Sequence, residues 1–442
     1  MSQARVVVTG LGAVSPLGLT AGDLWAGLSA GRCGIGRIRA FDPTGFPCEL
    51  ASEVPEYRIQ DHVPRSYRKA VKLMCRDIEL AVIAATEAIA SSGLVTKGID
   101  PEKVNVDPTR MAINVGAGII CCELAELAPA AAVSTTDGRF DLRKWGKDGL
   151  DLVTPLWLLK YLPNMLACHI GIIHDIQGPS NTITCGEAAG QLAIGEAAQV
   201  IARGDTDVAV AGAAEAKVNQ LVMVRQHLLQ RAVSTRDCDP ATICRPFDAQ
   251  ACGSIFGEAA GMVVLENLEH ARARGAKILA EITGIGSSHS MCPGYARLEP
   301  DGRSIQIAAE KAMNDAEISP QDIDLVIPHG TGVPEDDLAE AQGLEAALGS
   351  AVHKIAFWPT KSMLGTTGAA SGALDAIAAV QALRAGVIPP AKNFERPAAG
   401  CHLNVATQRR EGPFRHALCC SYTFGGQTAA LVLKAFDQER SE

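Results

Sequence analysis

Apolar residues along this chain fall into two kinds of run. Short β-branched stretches bounded by glycine or polar residues read as strands: residues 5–9 (RVVVT, closed by Gly10), 111–115, 181–184, 208–211 and 261–265. Longer stretches carry helical periodicity. Thr20, followed three residues later by Asp23, starts a helix that Gly31 ends. A long helical pattern spans roughly residues 68–92 and stops at Gly93. The second half repeats the alternation: strand 279–283 then helix 304–316, strand 324–328 then helix 337–348, strand 355–359 then helix 371–385. Residues 416–421 and 428–434 read as a closing hairpin.

Strand and helix alternating throughout predicts an α/β protein with a largely parallel sheet. No low-complexity linker interrupts the chain, so two halves, 1–265 and 266–442, are expected to pack as one body. In such folds sites collect at the carboxyl ends of strands, and three chemistry-bearing side chains fall there.

Cys185 ends the run Ser180-Asn-Thr-Ile-Thr184, and Gly186 opens a helix that Gly204 closes. A thiol at a helix N-terminus is either a nucleophile whose thiolate the helix dipole favours or an inert core cysteine. His329 follows Leu325-Val-Ile-Pro328 and precedes Gly330-Thr331-Gly332; it reads as an acid, base or oxyanion donor, or as a capping histidine. Lys361 follows Phe357-Trp-Pro-Thr360 and could hold a carboxylate, polarise a carbonyl or lie at the surface. Together the three suggest acyl-thioester chemistry, with a Cys/His protease as the generic rival. The Gly10-Leu-Gly12 run lacks the third glycine of a dinucleotide loop, and Pro16 interrupts the helix that should follow, so those glycines are read as a structural turn.

Charge narrows the partners. With 40 Lys+Arg against 49 Asp+Glu in 442 residues, the formal net charge is −9, which argues against a general nucleic-acid binder. No apolar run reaches the roughly 18 residues of a membrane helix, and the chain enters a strand at once without an apolar leader. Fourteen scattered cysteines without a CxxC pair are expected to be mostly buried thiols in a reducing cytoplasm, with no metal and no cofactor.

Specific motifs then add a family. The chain resembles the β-ketoacyl-acyl-carrier-protein synthases, in the branch of synthase II and the ketosynthase/chain-length-factor pairs, over nearly its full length. The resemblance runs from Val6-Val-Val-Thr-Gly-Leu-Gly-Ala-Val-Ser-Pro-Leu-Gly18 through Gly178-Pro-Ser and Thr184-Cys185. It continues in Arg245-Pro-Phe-Asp248, Gly257-Glu-Ala-Ala-Gly261, His329-Gly-Thr-Gly332, Lys361-Ser362 and Phe424-Gly-Gly426. It implies a thiolase-like fold of five layers, α-β-α-β-α, built from two related halves and usually dimeric. It also implies that Cys185 carries the acyl chain, that His329 binds the malonyl thioester carbonyl, that Lys361 and Glu340 form a supporting charged pair, and that Phe424 gates the cysteine.

Departures from the family pattern matter as much. A second catalytic histidine is expected after Gly365, and Thr366 stands there. Loss of one oxyanion donor typically costs about 10²–10³ in rate. Ala251-Cys252 precede Gly253 where the family has Arg-Asp, Gln427-Thr428 follow the glycine pair, and Glu187 lies two residues past the nucleophile where small or hydroxylated residues are usual. The main expectation is condensation of an acyl group on Cys185 with malonyl-carrier protein, in fatty acid or polyketide-type synthesis. The alternatives are a non-condensing partner subunit of a ketosynthase heterodimer and a non-decarboxylative acyltransferase. An acidic carrier protein needs a basic footprint on an acidic chain, and Arg65, Arg68, Lys69, Lys72 and Arg76 recur at helical spacing.

Overall fold

The computed structural model describes residues 4–234, 238–292 and 297–437. Ten strands form one continuous sheet: β1 (Val6–Val14), β2 (Met111–Ala117), β3 (Ser180–Thr184), β4 (Val208–Ala216), β5 (Glu258–Asn267), β6 (Ala280–His289), β7 (Leu325–Ile327), β8 (Ala356–Phe357), β9 (His416–Tyr422) and β10 (Gln427–Ala435). Their order across the sheet is β8-β7-β9-β10-β6-β1-β5-β4-β2-β3. The strands up to Asn267 therefore lie together, as do those from Ala280 onward, and antiparallel pairing of β1 with β6 (Val6 opposite Ile282) joins the two groups.

Six helices complete the layers: α1 (Arg76–Ser91), α2 (Met165–His174), α3 (Ala189–Ala202), α4 (Arg303–Asp315), α5 (Pro334–Leu348) and α6 (Ala370–Ala385). Helices α3 and α6 pack on each other and touch strands of both groups, so they form the middle layer. Helices α1 and α2 cover the outer face of the first group, and α4 and α5 that of the second. The core divides accordingly: Ile194, Leu374 and Ile377 in the middle, Ile78, Ile83 and Ile113 under α1, and Ile305, Val326 and Leu344 under α4 and α5. The middle helices approach closely because their facing residues are small. A β-carbon on Gly190 would sit 2.7 Å from the Ala369 carbonyl oxygen.

Three expectations need correction. The sheet is not largely parallel: β1–β6, β1–β5, β6–β10, β9–β10 and β4–β5 all pair antiparallel. Helix layers bury both faces of β1, β4 and β5, so their sequences are almost uniformly apolar, as in a parallel sheet, and carry no alternation to betray direction. Gly10 and Gly12 do not form a turn. Strand β1 runs straight through them, and they are bare because α1 lies against that face. A β-carbon on Gly12 would stand 2.0 Å from the Ala84 carbonyl oxygen. Gly12→Ala is therefore expected to cost about 1–3 kcal/mol in urea denaturation. Gly36→Ala, with open space around the new carbon, should cost almost nothing; equal losses would contradict the close-approach account.

The third correction concerns the basic segment. No helix spans 68–92: residues Arg65–Tyr67 and Ala70–Leu73 form separate 3-10 turns, and α1 begins only at Arg76. Arg65, Arg68, Lys69 and Lys72 are all exposed, but they do not share a helix face. Arg76 turns inward and pairs with Glu258 at 2.6 Å. Six of the fourteen cysteines are buried, seven half-buried and Cys252 exposed, so fewer are core thiols than expected.

Candidate functional site

Strand β3 delivers Cys185 to the edge of the middle layer. Gly186 follows at φ +62°, a left-handed conformation that disfavours a β-carbon, and one 3-10 turn (Gly186–Ala188) leads into α3. The half-buried thiol lines a cavity of about 380 Å³ together with Ile119, Glu187, Glu215, Lys217, Gln226 and Phe424. Lys217 Nζ lies 3.3 Å from Glu187 and 3.1 Å from Glu215, forming a buried charged triad beside the thiol. Burial opposes ionisation of Glu187, but Lys217 prevails and holds its carboxyl below the usual range.

Burial and then the Glu187 charge push the Cys185 thiol up to about 12. Burial and the anion two residues away thus oppose the thiolate that a helix terminus would favour. Glu187→Gln removes the anion and leaves Lys217 in place, so the thiol's pKa should fall. Each unit is a tenfold gain in thiolate at fixed pH. Alkylation of Cys185 by iodoacetamide at pH 8 is expected to accelerate by about tenfold. An unchanged or slower rate would remove Glu187 from the account.

His329 emerges from β7 on a loop that carboxylates of α5 hold from below. Its backbone N–H donates to Glu340 Oε1 at 2.6 Å, and the Gly330 N–H donates to Oε2 at 2.7 Å. Asp337 accepts from the Thr331 and Gly332 amides at 2.8 and 3.1 Å. Burial pushes the Glu340 carboxyl up to about 8 and that of Asp337 to about 7. The His329 ring stands edge-on to Tyr422 at 4.6 Å, and its Nδ1 is buried without a hydrogen-bond partner among the described residues. Burial, with the charges of Lys361 and Arg231, lowers its pKa well below the ordinary histidine value, so the ring is neutral.

Lys361 does not pair with Glu340. Its Nζ lies 2.5 Å from Asp375 Oδ2 on α6, while Asp375 Oδ1 accepts from Thr360 Oγ1 at 2.6 Å. The Glu340 oxygens are instead taken by the two loop amides, so Glu340 positions the His329 backbone. Thr366 shares a 2.6 Å hydrogen bond with Ser254 Oγ and donates its N–H to the Ile255 carbonyl at 2.7 Å. Thr366, His329, Arg231, Tyr422 and Phe424 enclose a space of only about 10 Å³. Phe424 and Glu187 line both this space and the Cys185 cavity, so the two adjoin at these residues. The Arg231 guanidinium lies over that ring, 4.7 Å from its centre, and pairs with Asp336.

The structure thus brings Cys185, His329, Thr366 and Phe424 to two adjoining cavities, with Lys361 and Glu340 behind the histidine. The basic residues 65–72 line neither. Sequence reasoning missed Lys217, Arg231 and Asp375. For Asp375 a signal existed: it is the one acid in the otherwise uncharged run Ala370–Leu383. For Lys217 a local signal existed as well, since Glu215 lies two residues before it; Arg231 had none, since Asp336 comes from a distant helix. Among the described residues no cluster of three or more His, Cys, Asp or Glu could hold a metal ion, and no helix is long and apolar enough to cross a membrane.

Five layers with a thiol at a strand end beside the middle helices define a thiolase-like α/β protein. Comparison narrows the class. Residues 3–271 match the beta-ketoacyl synthase N-terminal domain and residues 279–395 the C-terminal domain. Relatives named 3-oxoacyl-[acyl-carrier-protein] synthase 2 are 34% identical in Vibrio cholerae over 98% of this chain and 100% of theirs, and 31% identical in Staphylococcus aureus over 98% and 99%. A beta-ketoacyl synthase from Burkholderia phymatum superposes with a TM-score of 0.85 at 27% identity, covering 98% of this chain and 100% of its own. The ishigamide ketosynthase/chain length factor does so at 0.83 and 28%, with the same coverage. The chain belongs to the β-ketoacyl synthase family.

Proposed function

We propose that this protein is a condensing acyltransferase that loads an acyl group on Cys185 from a carrier-protein thioester and extends it with malonyl-carrier protein. The observation that carries the reading is the adjoining pair of cavities, one lined by the Cys185 thiol and the other by His329, with Phe424 lining both. The names of the Vibrio and Staphylococcus relatives support both the carrier and the 3-oxoacyl product.

Loading exchanges one thioester for another. The Cys185 sulfur attacks the acyl carbonyl, the bond to the carrier thiol breaks, and the thiol proton passes to the departing sulfur. In the second half-reaction the malonyl carboxylate leaves as carbon dioxide. The electron pair of that bond forms an enolate whose C2 attacks the Cys185 thioester, and the cysteine sulfur departs and regains a proton. Negative charge develops on the malonyl thioester oxygen. The His329 ring, whose pKa burial and then the charges of Lys361 and Arg231 lower, can donate one hydrogen bond there as a neutral group, and the fields of those two cations favour the same negative charge.

One observation favours a second reading. The Thr366 hydroxyl is already engaged with Ser254, in a space of about 10 Å³. A chain with one weak oxyanion donor could transfer acyl groups without decarboxylation or serve as the partner of a fuller synthase. Exposed apolar side chains between Ile119 and Ile172, and the exposed residues of the edge strand β3, support a second subunit of the same fold, identical or related. Intact-mass analysis after mixing with acyl- and malonyl-carrier protein separates these readings. A β-ketoacyl product two carbons longer, with carbon dioxide released, supports condensation; acyl-Cys185 without it supports transfer alone.

Carrier docking is assigned to Arg65, Arg68, Lys69 and Lys72, which are exposed on consecutive turns. Arg68→Glu with Lys69→Glu should weaken carrier-protein binding at least tenfold at low salt, because like charges then face each other. Unchanged affinity would place the footprint elsewhere. These parts suit a protein of the cytoplasm.

A further inference from the structure

The space beside His329 lacks a second histidine but not a second donor. Thr366 stands where that histidine is expected, and its hydroxyl is tied to Ser254. Arg231 lines the same space, together with His329, Tyr422 and Phe424. A guanidinium carries five N–H donors, and among the described residues Arg231 makes one hydrogen bond, from Nη2 to Asp336. Its Nε and Nη1 have no partner there, and they are not sealed off as His329 Nδ1 and the Tyr422 hydroxyl are. The space itself is about 10 Å³, on the order of what one water needs. It fits a single oxygen atom rather than a chain.

Electrostatics decide which oxygen. A hydrogen bond from a charged donor is roughly twice as strong as one between neutral groups. Asp336 offsets the far field of the guanidinium, but the N–H groups it leaves free keep their polarity. Glu187 also lines the space, and Lys217 holds its charge at 3.3 Å. The ligand that Arg231 suits is therefore an oxygen that gains negative charge beside His329 during the reaction. We infer that Arg231 is a catalytic residue of the malonyl half-reaction. One of its free N–H groups donates to the malonyl thioester oxygen as the enolate forms, alongside His329 and in place of the absent histidine. This rests on the condensing reading proposed above and gives that reaction its second oxyanion donor. Loading belongs to the Cys185 cavity, which Arg231 does not line, so the two half-reactions should respond differently.

The test follows the two half-reactions apart. Loading of Cys185 from acyl-carrier protein is read by intact mass. Carbon dioxide release by the acylated enzyme is read with malonyl-carrier protein labelled in its free carboxyl group. Arg231→Met with Asp336→Leu leaves neither charge of the pair unpaired. It is expected to load at nearly the wild-type rate and to release carbon dioxide about 10²–10³-fold more slowly. The loss should fall on kcat and spare KM for malonyl-carrier protein, because the contact forms only as charge develops. Release at the wild-type rate overturns the proposal and leaves condensation standing. Equal losses in loading and release also overturn it, since Arg231 would then act only by packing on the Phe424 ring. Where the double variant does not fold, Arg231→Lys decides: it keeps a cation against Asp336 but loses the planar fork. A loss confined to release supports the assignment, and unchanged release overturns it. A wild-type protein that loads Cys185 yet releases no carbon dioxide sinks the condensing reading and the assignment with it.

Discussion

Cys185→Ala is expected to abolish the acyl-enzyme and the β-ketoacyl product while leaving the fold nearly unchanged. Removing the sulfur proposed to carry the acyl group between half-reactions should cost on the order of 10⁴-fold or more in turnover. Stability should respond little. The Cys185 sulfur makes no hydrogen bond among the described residues, and its side chain packs against the small cluster of Ala189, Ala213 and Ala369. Losing a small half-buried group costs about 1 kcal/mol. The informative measurement is therefore a pair: product formation with both carrier thioesters, and urea denaturation of the same preparation. Full loss of product with unchanged stability is the expected result. Retained product formation would show that the acyl group never rests on Cys185. A loss of activity matched by unfolding would mean that the thiol has a structural role the geometry does not suggest.

That contrast between chemistry and packing also explains what the sequence made legible. Strand ends and helix starts could be read because glycines and caps mark them. Thr20 accepts the Asp23 amide at 3.0 Å, as its spacing implies, and Cys185 and His329 stand just past strand ends as expected, whereas β8 stops at Phe357 and Lys361 opens a separate helical turn, Lys361–Leu364. Strand direction could not be read, since strands such as β5 are buried along both faces and carry no alternation. The basic stretch 65–76 misled for a related reason. Periodic charge suggests a helix face, but extended backbone at Met74 and Cys75 separates the short 3-10 turns from α1. Partner choice among buried charges is the least legible feature of all. Glu340 and Lys361 have complementary charges, yet backbone amides of the His329 loop satisfy the carboxylate first. Lys361 then turns to Asp375, which a helix of the middle layer presents from the other side. Nothing local encodes that competition, because it depends on which donors the fold brings nearest.

Lys361→Met puts this buried pair to its own test. Lys361 and Asp375 are each 1% exposed, and removing one member of such a pair leaves an uncompensated charge at a cost of about 3–5 kcal/mol. Burial already raises the Asp375 pKa with Lys361 present, and without the cation it rises further. The sign of the pH dependence follows. The carboxyl's folded-state pKa in the variant lies above its unfolded value, about 3.9, so ionisation favours the unfolded chain. The penalty is full above the folded pKa, shrinks as pH falls through it and is absent below the unfolded value. Urea denaturation should therefore find Lys361→Met furthest below the wild type at pH 8 and closer to it at pH 5. Lys361→Met with Asp375→Leu should recover most of the loss, since no charge is then left unpaired. A double variant as unstable as the single one would mean that the lysine acts by filling space rather than by neutralising Asp375. A pH-independent deficit would mean that Thr360 alone suffices to hold the carboxylate ionised.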